Sequence, residues 1–192
     1  MIGLRSIGAA AMALTVLCGG AQAGDAAGLS SFEPRGAVIK MDVDYPVPPD
    51  QLFEAATGDI SGWWDHSFTS EPYSLEIQPE IGGYFLERFD GEGNGAIHAT
   101  VSFVRRPERI QFKGPFGFAG RALDLVVTYD VTPAPEGSRL SLTVEMAGHV
   151  TPEEDAIVEA VWRHFLIERL QTYLEAGCRG GGPCAAMQQA GH

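Results

Sequence analysis

TPEEDAIVEAVWRHFLIERLQTYLEA, Thr151 to Ala176, is the only stretch of this 192-residue chain that reads as a long helix, so the rest must be arranged around it. Thr151 is a natural N-cap, Pro152 suits the first helical position, and Glu154 completes a capping box of the form T-x-x-E. Apolar side chains recur at Val158, Val161, Trp162, Phe165, Leu166, Leu170, Tyr173 and Leu174, the three-and-four spacing of one helical face, and Gly177 stops the run. Glu159, Arg163, Glu168 and Arg169 lie opposite, the first two as a favourable i,i+4 pair. One face of this helix demands a partner.

Upstream, the partner is written as alternation. Val38 to Tyr45 puts Ile39, Met41, Val43 and Tyr45 on one face and Lys40, Asp42 and Asp44 on the other. Pro46, Pro48 and Pro49 end that strand, and Pro49 to Thr57 forms a short helix closed by Gly58. A second short turn covers Asp59 to Trp64. Strands are then expected over Ser74–Gln78, Tyr84–Phe89, Ala96–Val104, Arg109–Lys113, Leu123–Val131 and Arg139–Ala147. DGEGNG, Asp90 to Gly95, is a strong hairpin signal. GPFGFAGR, residues 114 to 121, is a glycine-rich loop carrying Phe116 and Phe118. Consecutive strands with short links and one apolar face each predict an antiparallel meander of about seven strands covered by the helix, an α+β architecture. A curved sheet wrapped around one helix leaves concave apolar space, and small-molecule sites favour such places.

Composition agrees with one globular domain, at 45% hydrophobic and 9% aromatic residues. MIGLRSIGAAAMALTVLCGGAQA carries Arg5, an apolar run from Ile7 to Cys18 and a small-x-small end at Ala21 to Ala23, the pattern of an export signal over residues 1–23. The run is too short to span a bilayer, so no stable membrane insertion is expected after cleavage. Residues 24–36 lack periodicity and read as a flexible leader, 37–177 as the domain and 178–192 as a C-terminal tail. The mature chain keeps 12 basic against 25 acidic side chains, a charge of −13, which argues against nucleic acid. Arg105, Arg106 and Arg109 alone come near to clustering, and they read as a solvated turn. Cys178 and Cys184 remain after cleavage, and an even pair in an exported chain favours a disulfide. Their spacing does not match the usual zinc pattern.

No nucleophile elbow, H-E-x-x-H or phosphate loop is present, and no metal or cofactor is expected. The polar question is Glu87 and His98. If the hairpin turns about Glu92 and Gly93, the two are direct cross-strand neighbours. The return strand has Ile97, Ala99, Val101 and Phe103 as its apolar face, which puts His98 on the solvated side and reads the pair as a surface ion pair. Turned inward, the same pair would orient a polar ligand head, serve as general acid and base, or hold a metal together with a further imidazole. His149, His164 and His192 have no partners at an informative spacing.

The order of an opening strand, VPPDQLFEAATGDISGWW, EIGGYFLE, RRPERIQF, PEGSRLSLTVEMAG and EAVWRHFLIERLQTYL resembles the SRPBCC superfamily, the helix-grip or START-like fold. Within it the chain looks most like the branch named after the activator of the heat-shock-protein-90 ATPase, over about Val38 to Ala176. The resemblance implies a hydrophobic cavity under the long helix, used for small apolar molecules and in some members for cyclase or hydrolase chemistry. It does not carry over a co-chaperone role, because an exported protein does not meet a cytosolic chaperone. It places Trp63 and Trp64 at the cap of the cavity, with one ring toward ligand, or both as plain packing residues. It places Phe116 and Phe118 near the mouth, as a gate or a passive turn. Phe85, Trp162 and Phe165 complete the expected ligand wall, the last two being core residues by their spacing. In exported relatives a Glu and a His recur at places matching Glu87 and His98, with a further His at His66.

The expectation is an exported, non-catalytic binding protein for a small hydrophobic or amphipathic molecule. Its alternative is a polyketide-cyclase-like or hydrolase-like enzyme using Glu87, His98 and His66. A protein-interaction module with a solid core is the third reading.

Overall fold

The computed structural model describes residues 28–189, so the expected export signal, the first residues of the leader and His192 lie outside it. The strands are β1 (Arg35–Tyr45), β2 (Gly58–Asp59), β3 (Ser74–Ile77), β4 (Tyr84–Arg88), β5 (Gly95–Arg105), β6 (Arg109–Gly114), β7 (Leu123–Ala134) and β8 (Gly137–Gly148), with helix α1 (Pro49–Ala55) between β1 and β2. They form one antiparallel eight-stranded sheet in the order β1-β8-β7-β6-β5-β4-β3-β2. This is a helix-grip α+β fold with one strand more than the sequence predicts, because the two residues of β2 are too few to show alternation. β1 also begins inside the stretch assigned to the leader, since Arg35 to Ala37 pair with Met146 to Gly148.

Alternation holds where a strand pairs in unbroken register. In β7, Leu123, Leu125, Val127, Tyr129 and Val131 are all buried, and in β8 so are Leu140, Leu142, Val144 and Met146. Each such large apolar side chain contributes about 1.5–3 kcal/mol on burial. Ser138 is the polar exception in β8, and its hydroxyl donates to the Val47 carbonyl at 2.7 Å.

The covering helix is continuous but not uniform. It runs as α2 (Pro152–Arg163), a π-helical segment (His164–Gln171) and α3 (Thr172–Glu175). Thr151 and Glu154 form the capping box in full. Val158, Trp162, Phe165, Leu166, Leu170, Tyr173 and Leu174 are buried against the sheet. Within the wider turns the Tyr45 hydroxyl, on the sheet, donates to the Leu166 carbonyl at 2.9 Å. Such wide turns frequently mark functional positions. Gly177, at φ +83°, ends the helix, and the Cys178 N–H closes back on the Tyr173 carbonyl at 3.1 Å.

Residues 178–189 are part of the fold rather than a tail. Cys178 and Cys184 are joined by a disulfide. The loop they close accepts the Gly62 N–H on the Gly181 carbonyl and the Tyr173 hydroxyl on the Arg179 and Gly182 carbonyls. A short helix, α4 (Ala185–Gln189), follows. Among the described residues no helix is long and apolar enough to cross a membrane.

Candidate functional site

The two adjacent tryptophans part company. Trp63 is fully buried and its indole N–H donates to the Ala55 carbonyl at 2.8 Å, which ties the loop after β2 to the end of α1. Trp64 turns the other way: its indole N–H donates to the His66 carbonyl at 2.7 Å, and its ring stacks on Phe165 at 3.7 Å. Trp64, Phe116, Phe118, Trp162 and Phe165 line a pocket of about 230 Å³ between sheet and helix, joined by Leu125, Val158, Val161 and Ile157. Two members of the expected ligand wall are therefore misplaced. Trp63 is structural core. Phe85 stands behind the wall, its ring against Trp64, His98 and Phe116 rather than on the pocket surface.

The loop after β6 forms one side of the pocket. Phe116 is buried with φ +50°, a left-handed conformation that costs a non-glycine residue about 1–3 kcal/mol and persists only where its surroundings impose it. Arg121 supplies part of that constraint. Its guanidinium pairs with Glu154, donates to the His149 carbonyl at 2.7 Å and lies over the Phe118 ring at 5.4 Å. The loop is strapped to the start of α2.

His98 reverses the sequence expectation. Simple alternation through Ile97, Ala99, Val101 and Phe103 sends it to solvent. In the structure it is 6% exposed, while Ile97 is 50% and Phe103 37% exposed. The reason is a pair of bulges in β5. Leu86 pairs with Ile97 and Phe85 with Ala99, which leaves His98 as an extra residue; Val101 pairs with Phe112 and Phe103 with Gln111, which leaves Ser102 extra. Each bulge shifts the phase of the alternation by one. Gly114 makes room for the first bulge, since a side chain there would lie 2.5 Å from the His98 carbonyl oxygen.

The hairpin register also differs from the one expected. Arg88 pairs with Gly95 and Glu87 with Ala96, so the turn centres on Gly91 and Glu92, and Glu87 does not face His98 directly. The two nevertheless meet diagonally, His98 Nε2 to Glu87 Oε2 at 3.0 Å. This is a buried pair, not a surface ion pair, with Glu87 wholly inaccessible. A buried carboxylate needs donors. Glu87 receives them from the Phe68 N–H at 2.9 Å and the Thr69 N–H at 3.3 Å, which locks the loop after Trp64 onto the sheet. Phe68 also stacks on the imidazole, centroids 5.2 Å apart and 3° from parallel. Nε2 is engaged by Glu87, and the His98 side chain lines the pocket.

His66 does not join them. It lines the pocket too, but its Nδ1 lies 2.9 Å from Asp65 Oδ1. His164 Nε2 approaches the same carboxylate at 2.9 and 3.0 Å, while its Nδ1 meets Glu168 Oε2 at 2.7 Å. Arg169 donates to the Trp63 carbonyl and lies 3.1 Å from Asp65 Oδ2. Burial pushes the Asp65 carboxyl up, but hydrogen bonds with His164 and His66 and the Arg169 charge outweigh it and hold the group below its ordinary value. Hydrogen bonds to Glu168 and then Asp65 raise His164 above the usual imidazole range. Sequence reading gave His164 no partner. Glu168 at i+4 was the one legible clue, whereas Asp65 is distant in sequence, and Phe68 carried no signal at all.

A larger groove of about 630 Å³ runs along Phe103, Arg105, Glu108, Arg109 and Asp130. Its charges are spent on each other: Arg105 pairs with Glu108 and Arg109 with Asp130, and neighbouring Arg106 donates to the Pro79 carbonyl.

Comparison with known proteins agrees with this architecture. Solved structures of like fold include a protein of Rhizobium leguminosarum, with TM-score 0.59 and 14% identity over 74% of this chain and 97% of that one. A Chromobacterium violaceum protein gives TM-score 0.52 and 20% identity over 72% and 96%. DynU16, from the dynemicin biosynthetic locus, gives 0.50 and 24% over 76% of this chain and 49% of its own. No curated protein matches. The family model described as Activator of Hsp90 ATPase homolog 1-like protein matches residues 46–175, from the end of β1 to the end of the covering helix, and the chain belongs to that family within the SRPBCC helix-grip superfamily.

Proposed function

We propose that the protein is an exported, non-catalytic binding protein for a small hydrophobic or amphipathic molecule held between sheet and helix. One observation carries this reading: an aromatic pocket in whose wall the His98 imidazole is anchored from behind by a buried carboxylate. Apolar walls with a few placed polar groups, here His98 and His66, suit a ligand that has a ring or short chain and a hydrogen-bonding head. At about 230 Å³ the pocket is smaller than the usual ~300–1,000 Å³ of drug-sized sites, which favours one or two rings over a long-chain lipid. The Cys178–Cys184 bond supports export, because such bonds persist in oxidising compartments. The test is fluorescence titration of the mature chain with 2-naphthol and with decanoic acid. Saturable quenching of Trp64 and Trp162 by naphthol, abolished by Phe165→Ala and weakened by His98→Ala, is expected. A linear, non-saturating response to both probes would sink the reading. For export, the purified mature chain should begin near residue 24 and show no free thiol when denatured without reductant; an uncleaved N-terminus or two free thiols counts against it.

A second reading, an enzyme of the cyclase or hydrolase kind, draws on the same Glu87–His98 contact. A carboxylate that orients an imidazole beside a substrate is a recurrent general-base arrangement. It rests on these two residues alone, because His66 stands with Asp65 and His164. Native mass spectrometry of ligand extracted from wild type and from Glu87→Gln separates the readings. Chemically different extracts favour an enzyme, and identical ones favour binding.

A further inference from the structure

We propose that Asp65, His66 and His164 form a binding site for one divalent transition-metal ion of the zinc type at the rim of the pocket. One potential ligand atom from each residue lies within 4.8 Å of the other two. Two edges of this triangle are already short: Asp65 Oδ1 is 2.9 Å from His66 Nδ1 and 3.0 Å from His164 Nε2. A tetrahedral ion with bonds of about 2.0 Å sets its ligands about 3.3 Å apart, so those two edges need little change. Two imidazoles and one carboxylate are the donor set that zinc takes in open sites.

A second feature sets this group apart from a chance cluster of polar side chains. A metal-ligating histidine is nearly always oriented through its other ring nitrogen by a carboxylate, a carbonyl or a water. His164 has that support already, since Glu168 holds Nδ1 at 2.7 Å and leaves Nε2 to point at Asp65. His164 stands at the first position of the π-helical segment, and Glu168 lies within it. Arg169 also lies against the site, and its bond to the Trp63 carbonyl keeps a place for it when Asp65 turns toward a metal. The ligands are reachable, with His66, Asp65 and His164 side chains 52, 35 and 28% exposed.

Three protein donors leave a fourth position for water or an exchangeable group. His66 also lines the pocket, so the ion would border it and offer a contact for an anionic or carbonyl head. Binding of the ion itself does not depend on the ligand reading. Protons compete for the same nitrogens, so affinity rises with pH.

The experiment is titration of the untagged, metal-stripped mature chain with Zn²⁺ by calorimetry and with Co²⁺ by visible absorption. One ion per chain and a tetrahedral Co²⁺ spectrum are expected. His66→Ala and Asp65→Asn should each weaken binding at least tenfold, and Glu168→Gln about 10- to 100-fold, the usual effect of removing an orienting partner. His149→Gln, which removes an imidazole elsewhere, should change nothing. His66→Ala alters a half-exposed side chain, so it keeps the test valid should a His164 variant misfold. No one-to-one binding, or binding that survives His66→Ala and Asp65→Asn undiminished, overturns the site.

Discussion

Two polar groups border the same pocket and obey different physics. Glu87 and His98, in the inner wall, are sealed from water and hold each other with two backbone N–H groups. Asp65, His66 and His164, at the rim, share one carboxylate in partial contact with solvent. Burial makes the first group a structural keystone, with His98 also lining the pocket. Exposure makes the second a weak tie, open to protons and ions. The same residue types therefore carry different costs of removal.

The largest effect is expected where burial is complete. Glu87→Ala leaves His98 without its partner and strands two loop N–H groups, a loss of about 3–5 kcal/mol by analogy with broken buried pairs. Urea denaturation should show it, and Glu87→Gln should cost clearly less by keeping an acceptor. A loss under about 1 kcal/mol for Glu87→Ala would put the inner pair on a par with the rim and erase the contrast.

The adjacent tryptophans sharpen the same comparison. Trp63→Ala should cost about 3–5 kcal/mol, the usual range for a buried aromatic, and Trp64→Ala less. Naphthol quenching should fall in the Trp64 variant and survive in Trp63→Phe. Equal stability losses would mean that the two rings are equally core.

Gly114→Ala tests the bulge that brings His98 inward. The added methyl meets the His98 carbonyl and the Ala99 backbone, so a loss of about 1–3 kcal/mol is expected, as for other overpacked sites. Weaker naphthol binding should accompany it. A neutral substitution would show that the bulge is not held by that close approach.

The smallest effect belongs to the rim. His164 holds its proton more tightly when folded than the ordinary imidazole value of about 6.5, so its contribution is complete below that pH and fades as pH rises through the raised folded value. Asp65, with its carboxyl held low, contributes above about pH 3.9 and loses that contribution as pH falls through the lowered folded value. His164→Ala should flatten the stability profile above pH 6.5 by less than about 1 kcal/mol, since the groups are partly solvated. A profile unchanged by the substitution would leave the rim with no electrostatic tie.

Much of this molecule is local information. The helix from Thr151 was legible to its capping box and its stop at Gly177, because caps and three-and-four spacing act over a few residues. β7 and β8 were legible because one alternation runs through Leu123 to Val131 and another through Ser138 to Met146. The pocket residues on the helix followed from the same periodicity. What stayed hidden depends on neighbours remote in the chain. The bulges of β5 are set by its pairing with β4 and β6 and by the space at Gly114, so the inward turn of His98 cannot be read from Ile97 to Phe103 alone. Asp65 and His164 lie 99 residues apart and meet only because the helix closes over the loop after Trp64. The sequence by itself determined which segments are helix and strand and which faces are apolar, since these follow from nearest-neighbour sterics and hydrophobic burial. Only the tertiary structure decided which polar side chains are sealed in and which share a rim, because pairing register and closure are long-range.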